Sequence, residues 1–165
     1  MATIKQKITP FLWFTNNQVE EAVKFYTSIF KNSKIVNTSR YSEAGPGPKG
    51  SVMVQSFELE GQQFTALNGD VDFKFNESIS FVINCETQQE IDYYWDKLTT
   101  GGTPVQCGWL RDKFGLSWQV VPTIMGELMS SKDAAANGRV AQAMFKMVKL
   151  DIAKLKEAAQ ERVHQ

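Results

Sequence analysis

The sequence predicts an α+β protein made of paired βαβββ modules with a C-terminal helical extension. Three observations carry this reading. A strand, an amphipathic helix and a hairpin pattern occur in that order, and the order then repeats. The apolar positions Ile91, Trp95 and Leu98 match Val19, Val23 and Tyr26 at an offset of 72 residues. Beyond Pro122 the composition turns to Ala, Lys, Met and Glu, which favour helix. The 165 residues suffice for one domain with a real core or for two small repeated units.

The first strand is read at Ile8 to Phe14, rich in strand formers, with Pro10 removing one backbone donor. A helix over 17–30 follows, with Asn17 as its N-cap and Glu20 and Glu21 in the first turn, where the helix dipole favours them. Val19, Val23, Tyr26 and Phe30 form its apolar face. A strand from Lys34 to Tyr41 comes next, then a loop from Ser42 to Gly50 whose prolines and glycines sustain neither helix nor sheet. Ser51 to Leu59 and Gln63 to Asn68 alternate around Glu60-Gly61-Gln62, a hairpin signal. Phe73 to Asn76 is left unassigned.

In the second module a strand from Ile79 to Cys85 leads to a helix over 88–98, started near Glu86 or Thr87 and stopped by Gly101-Gly102. Trp109 to Val121 is the closing hairpin, turned at Asp112-Lys113-Phe114-Gly115, where Asp starts the turn and Gly takes the positive φ. The repeats span 5–70 and 77–122 within a domain of residues 1–125. Residues 126–165 form the extension. Val140, Met144, Met147 and Val148 mark one helical face there. Asp151 caps a further helix with Ile152, Leu155 and Ala159 inward.

Lys plus Arg equals Asp plus Glu at 18 each, so no charge excess points to nucleic acid or an acidic membrane. No apolar run approaches the ~20 residues that span a bilayer. Met1 to Lys7 leads into no apolar signal core, so a soluble cytoplasmic protein is expected. Cys85 and Cys107 are expected to be reduced. The single histidine, His164, is expected on the chain's frayed end. One histidine and two cysteines do not make a common zinc site, and no Ser-His or Cys-His pair is available. Arg111 near Cys107 could make that thiol reactive, with packing as the simpler role.

The stretches ITPFLWF, VEEAVKFY, GPGPKG, FELEGQQFTALNG, FKFNESISFVINCETQQEIDYYWDKL and CGWLRDKFGLSWQVVP, with the tail AMFKMVKLDIAKL, closely resemble the PhnB-like family. That family is also labelled 3-demethylubiquinone-9 3-methyltransferase. It belongs to the vicinal oxygen chelate superfamily of glyoxalases, bleomycin-resistance proteins and dioxygenases. Asp70-Val71-Asp72 departs from the Gly-Pro that relatives often carry there. The resemblance implies a U-shaped sheet around a cavity. In the superfamily's metalloenzymes, four inward residues bind a divalent ion. The matching positions here are near Thr9, Thr65, Ser78 and Gln119. Neutral hydroxyls and one amide are poor ligands for a transition metal. A one-residue shift brings in Pro10, Ala66 or Ile79, which are no better.

Strand alternation puts Thr9, Phe11 and Trp13 on one face, and Ser78, Ser80, Val82 and Asn84 on another. Ser117, Gln119 and Val121 share the inner face of the last strand. The candidate pocket is therefore Thr9, Phe11, Trp13, Thr65, Ser78, Ser80 and Gln119. It suits a small, partly apolar molecule bound without metal or other cofactor. No catalytic residue is assigned. Gln119 alternatively bonds to Ser78 or Ser117 and only supports the core, and Phe11 and Trp13 alternatively fill the cavity. An enzyme of the same superfamily, and a dimeric structural or regulatory module with a filled cavity, stay open. A homodimer is expected, and neither a nucleic-acid nor a membrane partner. The methyltransferase label has weak support, because the glycine-rich turn of a doubly wound sheet is absent from the sequence.

Overall fold

Leu12 and Phe14 are buried while Phe11 is 59 % exposed, so β1 (Phe11–Phe14) alternates with the period of a one-sided strand. The computed structural model describes residues 6–160, which fall into two compact units divided between Lys74 and Phe75. His164 lies outside the described residues.

The first unit continues with α1 (Val19–Ile29), β2 (Ser33–Arg40), β3 (Val52–Leu59) and β4 (Gln62–Asn68). The sheet order is β1-β4-β3-β2, with β1 parallel to β4 and the other pairs antiparallel. The expected apolar residues Val19, Val23, Tyr26 and Phe30 are all buried, and Ala22 and Ile29 of α1 join them on the side of the sheet. There the rings of Tyr26, Phe57 and Phe64 stack in sequence, with centroids 6.3 Å and 5.4 Å apart. Glu60 and Gly61 both have positive φ, the two-residue hairpin turn that matches strand twist.

Two local expectations are corrected. The first strand starts at Phe11 rather than Ile8, because Pro10 has no N–H for the ladder. The Gln6 side chain substitutes for a strand there, accepting from the Gln63 N–H at 3.0 Å and donating to the Gln63 carbonyl at 3.1 Å. Asn17 is not the N-cap of α1. It sits in the left-handed region at φ 58°, and the cap position, Gln18, makes no side-chain cap bond. The Val19 N–H donates instead to Asn68 Oδ1 on β4, at 3.0 Å.

The second unit holds β5 (Ser80–Cys85), α2 (Gln88–Thr99), β6 (Thr103–Pro104), β7 (Trp109–Arg111) and β8 (Ser117–Pro122). Its order, β5-β8-β7-β6 with β5 parallel to β8, repeats the first sheet. Thr87 caps α2 by accepting from the Glu90 N–H at 3.2 Å. Ile91, Trp95 and Leu98 pack on the covered sheet face with Ile83, Leu110, Trp118 and Val120.

The extension contains α3 (Met125–Met129), which the sequence reading did not separate, then α4 (Ala134–Phe145) and α5 (Ile152–Gln160). Asp133 caps α4, and Asp151 Oδ1 accepts from the Lys154 N–H at 3.1 Å as expected. Val140, Leu150 and Leu155 form the core of this part. The expected helical face does not run on to Val148, because α4 stops at Phe145 and Val148 is 47 % exposed. Met144 and Met147 do pack against this core, and Met147 and Val148 also serve through their backbone. The carbonyls of Met147 and Val148 accept the N–H groups of Cys107 and Gly108 at 2.9 and 2.8 Å. Gly108, at φ 81°, is required there: a Cβ would stand 2.8 Å from the Val120 carbonyl oxygen.

Candidate functional site

In each unit the helix covers one face of the sheet and leaves the other face to a different set of residues. On the first sheet, Phe11 pairs with Thr65, Thr65 with Ser56 and Ser56 with Asn37, so these four form one cross-strand row. Trp13, Leu67, Val54 and Ser39 form the next. Thr65 Oγ1 lies 3.5 Å from Ser56 Oγ. Glu58 and Lys34 are cross-strand partners on the same face and make an ion pair at 3.6 Å. Sequence reasoning singled out Phe11, Trp13 and Thr65 here and missed Ser56 and Glu58. The hairpin turn at Glu60-Gly61 was the signal that could have found them, because it sets the pairing of β3 with β4.

Trp13 is half-buried and engaged. Its Nε1–H donates to the Val71 carbonyl at 2.8 Å, and its ring meets Phe73 edge-on at 5.2 Å. A Cβ on Gly69 would overlap the indole, so this position is glycine for close approach. The departure from relatives at Asp70-Val71-Asp72 therefore falls where the chain is strapped to Trp13. Asp72 lies beside it: its bond to Lys74, opposed by desolvation, holds the carboxyl below its ordinary range, with Thr15 as a further donor.

The loop 42–50 folds around the Tyr41 ring, with Gly45 and Gly47 on its two edges. Tyr41 Oη donates to the Asn68 carbonyl at 2.7 Å. A cleft of about 180 Å³ opens between this loop and the end of β4, bordered by Tyr41, Pro46, Pro48, Asn68 and Asp70.

On the second sheet, Ser80 pairs with Ser117 and Ser117 with Arg111, while Val82 pairs with Gln119 and Gln119 with Trp109. The half-buried Gln119 donates from Nε2 to Ser80 Oγ at 2.9 Å, a partner that is neither Ser78 nor Ser117. Ser117 Oγ is buried without a hydrogen-bond partner. Arg111 and Trp109 were not among the sequence candidates for this face. The turn at Asp112 to Gly115 sets their register, with the Gly115 N–H donating to the Asp112 carbonyl at 2.9 Å. Asp112 is itself only 3 % exposed, and its carboxylate accepts from the Phe114 and Leu116 N–H groups and from Trp118 Nε1.

The four positions where the superfamily implies a metal do not fit one. Thr9 lies ahead of β1 and Ser78 ahead of β5, and both are exposed. The partner level with Gln119 is Val82, so Ser78 stands about 13 Å away along the strand direction. Thr9, Thr65, Ser78 and Gln119 offer only neutral oxygens. Among the described residues no three His, Cys, Asp or Glu side chains are grouped as metal ligands. Of the two thiols, Cys85 is fully buried and its pKa is pushed up to about 12 by desolvation, with Glu90 adding to the shift.

Two βαβββ units with identical strand order define a protein of the glyoxalase fold. The family described as 3-demethylubiquinone-9 3-methyltransferase matches residues 6–121, and the chain belongs to this PhnB-like family. The PhnB protein of Bacillus cereus, which carries the same methyltransferase description, is 41 % identical, with 72 % of this chain and 100 % of that chain covered and a TM-score of 0.66. A Pseudomonas aeruginosa protein is 18 % identical over 72 % of this chain and 98 % of its own, at a TM-score of 0.59. The fosfomycin resistance protein FosX of Listeria monocytogenes is 13 % identical over 78 % and 100 %, at 0.55. These last two similarities concern the fold alone. No curated protein matches the chain. The family match ends at Val121, so α3, α4 and α5 lie beyond it. Among the described residues no helix is long and apolar enough to cross a membrane.

Proposed function

We propose that this protein binds a small, partly apolar molecule on the open faces of its βαβββ sheets, without a metal ion. The observation that carries this reading is the bond from Gln119 to Ser80, a polar fixing point beside the half-exposed Val82. Phe11, Trp13, Thr9 and Thr65 supply the aromatic and hydroxyl character of the first unit's face, and Ser78 lies at the edge of the second. Apolar walls with few polar fixing points suit a small-molecule site. The poor ligand chemistry of the four implied metal positions supports the metal-free part.

A thermal-shift screen of planar aromatics, quinones, dicarbonyls and glycopeptide antibiotics tests the reading. S-adenosylmethionine belongs in the same screen, because the family description names methyl transfer. A ligand at a hundredfold excess over its dissociation constant stabilises the native state by about 2.7 kcal/mol. Gln119→Ala is expected to weaken any hit while leaving the unliganded melt nearly unchanged. A screen with no shift from any compound would sink the binding reading. One equivalent of bound divalent metal per chain, lost on Gln119→Ala, would sink its metal-free part.

We also read the protein as a homodimer. Phe145 at 62 % exposure, with Val148 and Met129 also exposed, offers apolar surface on the extension for a second copy to cover. Light scattering is expected to give twice the mass of one chain at micromolar concentration.

A further inference from the structure

We propose that the open face of the second unit takes the carboxylate end of a planar acidic molecule, with Arg111 as its cation and Trp109 as its stacking surface. The proposal rests on the binding reading above and narrows it to a chemical class. Trp109 and Arg111 stand two residues apart on β7, so both side chains emerge on one face about 7 Å apart. Their pairing with Gln119 and Ser117 puts them on the same face as the Gln119–Ser80 bond. The other face of β7 is sealed by Leu110, which is fully buried.

Arg111 meets Glu77 at 3.6 Å, and both side chains are about half exposed. An ion pair so open to water contributes little, so Glu77 yields readily to a better-placed carboxylate. A guanidinium binds a carboxylate best through two parallel N–H bonds, and the 3.6 Å contact with Glu77 is longer than a hydrogen bond. An indole beside it offers a flat apolar surface to an aromatic ring. Gln119 and Ser80 offer an amide and a hydroxyl to further polar substituents.

Matched probes of one shape test the class. 2-Naphthoate and 2-naphthamide are titrated into the full-length protein by calorimetry, with Arg111→Gln, Arg111→Lys and Trp109→Leu alongside. The acid is expected to bind about tenfold more tightly than the amide, and added salt should reduce the difference. Arg111→Gln should erase that preference by weakening the acid much more than the amide. Arg111→Lys should retain part of it, and Trp109→Leu should weaken both probes. Circular dichroism of each variant confirms the fold, and Arg111 is exposed enough to be replaced without unfolding. Equal binding of acid and amide would overturn the acidic class and leave the broader binding reading standing. A preference that survives Arg111→Gln would overturn the assigned face. Failure of both probes would overturn this proposal, while the broader screen still decides the general reading.

Discussion

Asn68, on the last strand of the first sheet, caps the helix that begins 49 residues earlier at Val19, its Oδ1 accepting the helical N–H at 3.0 Å. The same side chain donates to the Val52 carbonyl at 2.9 Å and to Asn17 Oδ1 at 3.0 Å. One buried amide thus ties a helix start, two strands and the turn before the helix. Asn68→Ala leaves three groups without a partner. It is expected to destabilise the first unit by about 2–3 kcal/mol, read by urea unfolding. A loss under half a kcal/mol would show that water replaces the amide.

Asp112 plays the corresponding part in the second unit. Its carboxylate receives two backbone N–H groups and the Trp118 indole N–H. Asp112→Asn keeps the shape but turns one acceptor into a donor that faces another donor. Destabilisation of about 2–3 kcal/mol is expected, together with a changed near-ultraviolet signal from Trp118.

Gly69→Ala drives a methyl group into the Trp13 indole. The ring must move, and its bond to the Val71 carbonyl is lost. A red-shifted tryptophan emission and faster proteolysis near Val71 are the expected readouts. If this variant keeps wild-type emission and cleavage, the strap is looser than the close approach implies.

The extension carries a pH-sensitive tie. Lys149 Nζ bonds to Asp92 at 2.7 Å. That bond, with a second from Gln88, lowers the Asp92 pKa, and it raises that of Lys149. Asp92, with its pKa depressed on folding, stabilises the fold above the ordinary carboxylate range and loses this as pH falls through its folded value. Lys149, with its pKa raised, stabilises below the ordinary lysine range and loses this as pH rises through its folded value. Asp92→Asn should therefore cost stability at neutral pH and little in strong acid. Both groups are partly exposed, so the effect is small and falls with added salt.

Cys85 stays a buried thiol at neutral pH, since its pKa is pushed up to about 12 by burial. Iodoacetamide is expected to spare it in the native protein and to modify it after denaturation, as followed by peptide mass analysis. Rapid native labelling of Cys85 would mean that the face between α2 and its sheet opens.

Much of the fold was legible because it rests on local periodicity. Val19, Val23, Tyr26, Ile91, Trp95 and Leu98 announce two one-sided helices, and each is buried where the spacing puts it. The turn residues Glu60-Gly61 and Asp112 to Gly115 mark both hairpins by their backbone needs alone. The match to the PhnB-like family over residues 6–121 takes in the motifs from ITPFLWF to CGWLRDKFGLSWQVV, while the tail AMFKMVKLDIAKL lies beyond it. The site was less legible. Alternation told which face Ser80 and Gln119 occupy, but not that they bond to each other.

The amino-acid sequence by itself determined the paired βαβββ plan, the two helical faces, the hairpin turns and the lack of strong ligands at the implied metal positions. These depend on period, turn chemistry and side-chain type, which are properties of neighbours along the chain. Only the tertiary structure decided that Asn68 caps α1, that Gln6 completes the ladder beside Pro10, and that Arg111 and Trp109 share the face of Gln119. Each joins residues distant along the chain, or depends on strand register. A one-residue change in pairing would send every side chain of a strand to the opposite face.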